Sequence, residues 1–162
     1  MRRVLGWYAC CAAAILLVVT SCGGSTAQFT LSNASVDAIY PCPSGASNAA
    51  YYVHAAIAGH NGTSSPVSIS AVSAVMTLAA VHGGWLQALG SKYAPASVVF
   101  APNSVGAGST ATLNLTIPSA CTNLAKSPGT LSYADYSVSF KVTTSAGIFS
   151  IDSKNRHRII AF

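Results

Sequence analysis

Tyr136-Ser137-Val138-Ser139-Phe140-Lys141-Val142-Thr143 alternates large apolar with small polar or charged side chains at every step. Successive side chains of an extended strand point to opposite faces, so Tyr136, Val138, Phe140 and Val142 would share a buried face. Ser137, Ser139, Lys141 and Thr143 would face water. The same period recurs in residues 111–117, where Ala111, Leu113, Leu115 and Ile117 interleave with Thr112, Asn114 and Thr116. In residues 51–59 it predicts Tyr51, Val53, Ala55 and Ile57 inside, and Tyr52, His54 and Ala56 outside.

Residues 67–79 change phase. Val67, Ile69 and Ala71 fit one register and Val72, Ala74, Met76 and Leu78 the other, which predicts a bulge or a change of sheet near Ala71. Further strands are expected over residues 35–40, 97–100, 147–151 and 156–161. Turn chemistry separates them at Asn61-Gly62-Thr63-Ser64-Ser65-Pro66 and at Ser145-Ala146-Gly147. Seven or eight short strands at this spacing predict an all-β, antiparallel sandwich. Ala, Ser, Thr, Val and Gly dominate and Glu is absent, which suits short strands and gives little drive to long helices.

Within the same region, Tyr133-Ala134-Asp135-Tyr136-Ser137-Val138 resembles the approach to the penultimate strand of immunoglobulin-like domains, where a tyrosine hydroxyl closes the corner. The resemblance implies an immunoglobulin-like architecture. Two departures accompany it: the usual cysteine two residues after the tyrosine is missing, and Trp85 lies on no strand pattern opposite it. Fold analogy of this kind carries no function.

The amino end reads differently. Arg2 and Arg3 precede a sixteen-residue apolar run from Val4 to Val19, interrupted only by Gly6, and Val19-Thr20-Ser21-Cys22 then leads into Gly23-Gly24-Ser25. Charge followed by an apolar core is the pattern of a secretory signal helix. A membrane span needs about 18 to 20 apolar residues and is more often followed by Lys or Arg than by Gly and Ser. The segment is similar to the lipobox signal of bacterial lipoproteins. That resemblance implies removal of residues 1–21, a diacylglycerol thioether on Cys22, a tether over residues 22–26 and one domain over residues 27–162. Two or three acyl chains would hold the protein stably on the extracytoplasmic face of a cell membrane. The competing expectation is an ordinary signal peptide cut nearby.

Removal of the signal leaves 141 residues, enough for one core burying roughly two-thirds of the unfolded surface. Lys92, Lys126, Lys141, Lys154, Arg156 and Arg158 against Asp37, Asp135 and Asp152 leave a net charge of +3. No aromatic-interleaved basic stripe occurs, so no nucleic-acid partner is expected. A weak attraction to anionic lipid or wall polymer is the better reading. With Cys10 and Cys11 in the signal and Cys22 lipidated, Cys42 and Cys121 remain to pair in an exported compartment. Closing that loop would stabilise the fold by about 4 to 5 kcal/mol on the loop-entropy model.

Four histidines and three aspartates are the whole ordinary acid–base stock. His54 and His60 share a strand face, but six residues of strand separate them by about 20 Å, far beyond zinc bonds of about 2 Å. His60 and His82 are expected in turns, and His157 among cations. No Gly-x-Ser-x-Gly elbow, carboxylate pair or phosphate-cradling loop is marked. No catalytic residue, metal site or cofactor is assigned. Asn33, Asn61 and Asn114 begin glycosylation tripeptides, which have no default acceptor role in a bacterial lipoprotein.

The binding candidate is Gly83-Gly84-Trp85-Leu86-Gln87-Ala88-Leu89-Gly90. It puts Trp85, Leu86 and Leu89 into a connection, along one side of a short helix if that segment coils. Exposed, they form a patch for a protein or cell-envelope partner, or the rim of a ligand pocket near Trp85. Buried, they cap an open end of the sandwich. The sequence-level expectation is a non-catalytic interaction or envelope module, with a small ligand-binding lipoprotein as the alternative.

Overall fold

A computed structural model describes residues 28–123 and 131–161. The signal segment, Cys22 and the tether lie outside the described residues. Eleven strands follow one another and, among the described residues, no helix occurs. They are β1 Phe29–Val36, β2 Ile39–Pro41, β3 Ala49–Asn61, β4 Val67–His82, β5 Lys92–Tyr93, β6 Val99–Ala101, β7 Ser104–Val105, β8 Thr110–Cys121, β9 Ser132–Thr144, β10 Gly147–Asp152 and β11 His157–Ala161.

One sheet has the order β1-β3-β8-β6. The other has seven strands, β2-β11-β9-β4-β5, with β10 added to β9 and β7 to β4. β9 is the hub of the second sheet. One of its edges carries β4 along nearly its whole length, and the other is shared between β11 over residues 132–136 and β10 over residues 139–144.

The count exceeds the seven or eight strands expected because β2, β5 and β7 are pairings of two or three residues, too short to show a period in sequence, whereas β6 falls where a strand was expected over residues 97–100. The single strand expected over residues 35–40 is two strands. β1 ends at Val36 and the chain crosses at Asp37-Ala38 to the other sheet, where β2 pairs with β11 in parallel, a departure from the all-antiparallel expectation.

The alternations hold. Val53, Ile57, Leu113, Leu115, Ile117, Val138, Phe140 and Val142 are at most 2% exposed, and residues from both sheets form one core. Full burial of such a side chain contributes roughly 1.5–3 kcal/mol. The phase change in β4 is a bulge: the register with β9 shifts between Ile69 and Ala71, leaving Ser70 and Ala71 both exposed while Ile69 and Val72 are buried. A second shift, between Leu78 and Ala80, has no such signal in sequence.

At one end of the sandwich the Gly62 N–H donates to the Gln28 carbonyl at 3.1 Å. There Asn61, fully buried, brings Nδ2 within 2.9–3.1 Å of the Ser65, Val105 and Gly106 carbonyls and accepts at Oδ1 from Thr63. Gly59 leaves room for the Phe29 ring, since a Cβ there would lie 3.2 Å from Phe29 Cζ and 3.1 Å from Leu113 Cδ1. β3 runs from the opposite end to this one, a path of thirteen residues and about 40 Å.

Cys42 and Cys121 form the disulfide. Cys121 closes β8, and Cys42 follows β2 and donates its N–H to the Ile160 carbonyl at 2.8 Å. The bond therefore staples the two sheets at the end away from Gln28.

Candidate functional site

β4 stops where the chain reverses at Gly83, whose φ of +74° is open to glycine at little cost. Residues 83–91 then fold back along the strand they have left. The Gly90 N–H donates to the Leu78 carbonyl and the Leu78 N–H to the Ser91 carbonyl, each at 2.9 Å, which leads into the β5 pairing. The segment forms bends and a turn and does not coil, so its large residues do not line one side of a helix. Gly83, Gly84 and Gly90 frame it, and eight residues so framed are too few to pay for helix nucleation.

Trp85 holds this loop in place. It packs half-buried against the core, and its indole N–H donates to Tyr136 Oη at 3.3 Å. Tyr136 Oη in turn donates to Gln87 Oε1 at 2.5 Å. Burial pushes the Tyr136 hydroxyl above its ordinary value, partly offset by the Trp85 donor, which keeps the phenol protonated and available as a donor at neutral pH. Leu86 and Leu89 point outward, 75% and 62% exposed. The three candidates thus divide: Trp85 is the anchor expected of a cap, and the two leucines are the exposed patch.

The cluster at the start of β9 is built otherwise than a tyrosine corner. Asp135 accepts a bidentate pair from Arg158 on β11, Nε to Oδ1 at 2.7 Å and Nη2 to Oδ2 at 2.9 Å. This guanidinium holds the carboxyl below its ordinary range. Arg158 also lies 4.1 Å from the ring centroid of Tyr133, which stacks on His82 at 4.9 Å. Sequence reasoning missed this row because it spans three strands whose register no local pattern reveals. A cleft of about 230 Å³ beside it is lined by Ala38, Ile39, Asp135, Arg156 and Arg158, and Trp85 is not among its walls.

The histidines correct three expectations. His82 is not in a turn but ends β4, paired with Tyr133. His60 is not in a turn but near the end of β3, where Nδ1 meets Thr110 Oγ1 at 3.0 Å. His157 does not sit among cations in water; it is 1% exposed, with Nδ1 2.7 Å from the Asp37 carbonyl and Nε2 3.1 Å from Tyr51 Oη. Tyr51 itself stacks on Tyr40 at 3.8 Å. His54, outward as its parity predicts, pairs with Asp37: its N–H and its Nδ1 both lie 2.9 Å from Asp37 Oδ2. A histidine oriented by a carboxylate is half of an acid–base site, but no serine or threonine hydroxyl bonds His54 among the described residues. No group of three or more His, Cys, Asp and Glu able to hold a metal occurs among the described residues.

No family model matches the chain, and no curated protein matches it. Among solved structures it is similar to the ASH / PapD-like domain of human CEP192 (PapD-like domain 7), at 8% identity over 80% of this chain and 83% of that one, with a TM-score of 0.27.

Proposed function

We propose that this protein is a bacterial lipoprotein, anchored through Cys22 on the extracytoplasmic face of a cell membrane, whose immunoglobulin-like sandwich is a non-catalytic interaction module of the envelope. The observation that carries the interaction reading is the loop of residues 83–91. Trp85, Tyr136 and Gln87 pin it internally while Leu86 and Leu89 stand in water. Leaving a leucine exposed forgoes roughly 1.5–3 kcal/mol of burial, which a partner surface would recover. The loop leaves β4 at the end opposite Gln28, so a tether from residue 23 would present it away from the membrane. The disulfide is compatible with an oxidising, exported compartment.

Two measurements test this. Palmitate labelling in the producing organism should mark the wild-type chain and not Cys22→Ala, which should appear in the soluble fraction; an unlabelled, soluble wild type rejects the anchor. A photo-crosslinker at residue 88, exposed between the two leucines, should trap one discrete envelope component, and the trap should disappear on Leu86→Ser plus Leu89→Ser with the fold retained. A trap unaffected by those changes rejects the patch.

A further inference from the structure

Formal charge on the strands is segregated by sheet. β1, β3, β8 and β6 contain no Asp, Glu, Lys or Arg, whereas Lys92, Asp135, Lys141, Asp152 and Arg158 all stand on strands of the other sheet. The outer face of the uncharged sheet is mostly hydroxyl, amide and methyl groups, from which Tyr52 and Val99 project at 62% and 68% exposure.

Backbone bonding at His54 fixes how that face is arranged. The His54 N–H goes to Asp37 Oδ2, and its carbonyl accepts from the Asp37 N–H, each at 2.9 Å. Both backbone groups therefore turn away from β8. His54–Thr116 and, by the two-residue period, Tyr52–Pro118 are then non-hydrogen-bonded pairs, the kind whose Cα atoms approach to about 4.5 Å and whose side chains lie closest. This is also why β8 tolerates a proline: at Pro118 no N–H toward β3 is required, and its carbonyl receives Tyr93 Oη at 3.1 Å on the other side. Tyr52 and Pro118 thus make one apolar step, with Val99 diagonal to it across Thr116. Two residues from Tyr52 along β3, His54 holds Asp37 through Oδ2 alone; Oδ1 has no hydrogen-bond partner among the described residues, and the Asp37 side chain is 46% exposed.

We infer that this face binds a neutral glycan chain, with Tyr52 and Pro118 receiving the C–H face of a pyranose ring and Asp37 Oδ1 and His54 Nε2 bonding its hydroxyls. A polyanion would need a row of cations, whereas among the described residues the strand cations stand on the opposite sheet and Lys154 reaches only the β1 edge, where it bonds Asn33 Oδ1. A protein or lipid surface would need a broader apolar patch than one tyrosine and one valine among hydroxyls. A sugar offers what the face complements: an apolar side for an aromatic ring, and dense hydroxyls for a carboxylate and an imidazole. Two strand spacings and a two-residue offset separate Tyr52 from Val99, about 12 Å on a flat face, which suits a chain more than a single ring.

The test is calorimetric titration of the intact protein in detergent with three uncharged hexasaccharides, of β-1,4-linked glucose, β-1,4-linked N-acetylglucosamine and α-1,6-linked mannose. At least one should bind in the micromolar to millimolar range. Tyr52→Ala should weaken it by about tenfold or more, Asp37→Ala by several-fold, and Tyr52→Trp should restore it. His60→Ala, at the far end of the same strand, should leave binding unchanged. Thermal unfolding of each variant confirms a retained fold, which the exposure of Tyr52 favours. Failure of all three sugars at millimolar concentration overturns the inference, as does equal binding by wild type and Tyr52→Ala.

Discussion

His157 alone of the four histidines is buried, and its two bonds define its state: Nδ1–H donates to the Asp37 carbonyl and Nε2 accepts from Tyr51, whose hydroxyl burial pushes upward and so keeps protonated. Burial holds the His157 imidazole below its ordinary value, with the Asp37 carbonyl opposing the shift. An unfolded chain takes up this proton first as pH falls through about 6.5, so the stability that neutral His157 supports is complete above that pH and declines below it. The midpoint of thermal unfolding should fall from pH 7 to pH 5, and His157→Gln should be less stable at pH 7 yet flatter across that interval. Parallel profiles for the two proteins would place the acid response elsewhere. Asp135 acts in a lower window. Arg158 depresses its carboxyl, so that contribution is present above about pH 3.9 and is lost only as pH falls further, through the folded value. The sequence placed Asp135 in the cluster that resembles immunoglobulin-like domains but paired it with nothing. Its partner is 23 residues away, and only the β9–β11 register brings them together.

Strands were the most legible elements. Period two in β3, β8 and β9 placed Tyr51, Leu113 and Phe140 inward, and the phase change in β4 located its bulge to within a residue. The loop of residues 83–91 was legible in composition and not in conformation. Spacing alone suggested a helix, whereas the pairing of Leu78 with Gly90 and Ser91 that shapes the loop is a tertiary contact. Two substitutions probe it. Gly83→Ala should destabilise by about 1–3 kcal/mol, because alanine is strained at φ +74° and its Cβ would lie 2.5 Å from Ser132 Oγ. Trp85→Ala should lower stability by roughly 1–3 kcal/mol and speed proteolysis within residues 86–91 by releasing the loop from Tyr136, while Leu86→Ala should do neither. Denaturant melts and limited proteolysis followed by mass spectrometry check both.

For the whole molecule, cysteine elimination gave the disulfide, but not that it joins the end of β8 to the chain beyond β2 and so couples one sheet to the other. Its loop of 79 residues makes the constraint on the unfolded chain a long one. Replacing Cys42 and Cys121 together with alanine should lower the unfolding free energy by about 2–4 kcal/mol in a denaturant titration, and reduction of the wild type should do the same. A loss below about 1 kcal/mol would mean the sheets are held together without it. The separation of charge between the sheets lay in plain view residue by residue, yet sequence order mixes the two sets of strands, so it emerges only when each strand is assigned to its sheet.

That separation also decides how the protein meets an artificial surface. Among the described residues the amines are Lys92, Lys141 and Lys154, two on the charged sheet and one on the connection from β10 to β11. Attachment to a carboxyl-activated sensor chip through Lys92 and Lys141 would leave the Tyr52 side turned to the flowing solution, whereas Lys154 reaches Asn33 on β1. With Lys126 and Lys154 changed to arginine and the α-amine acylated, the coupling would yield an oriented layer, ready for ligand screening without an added tag.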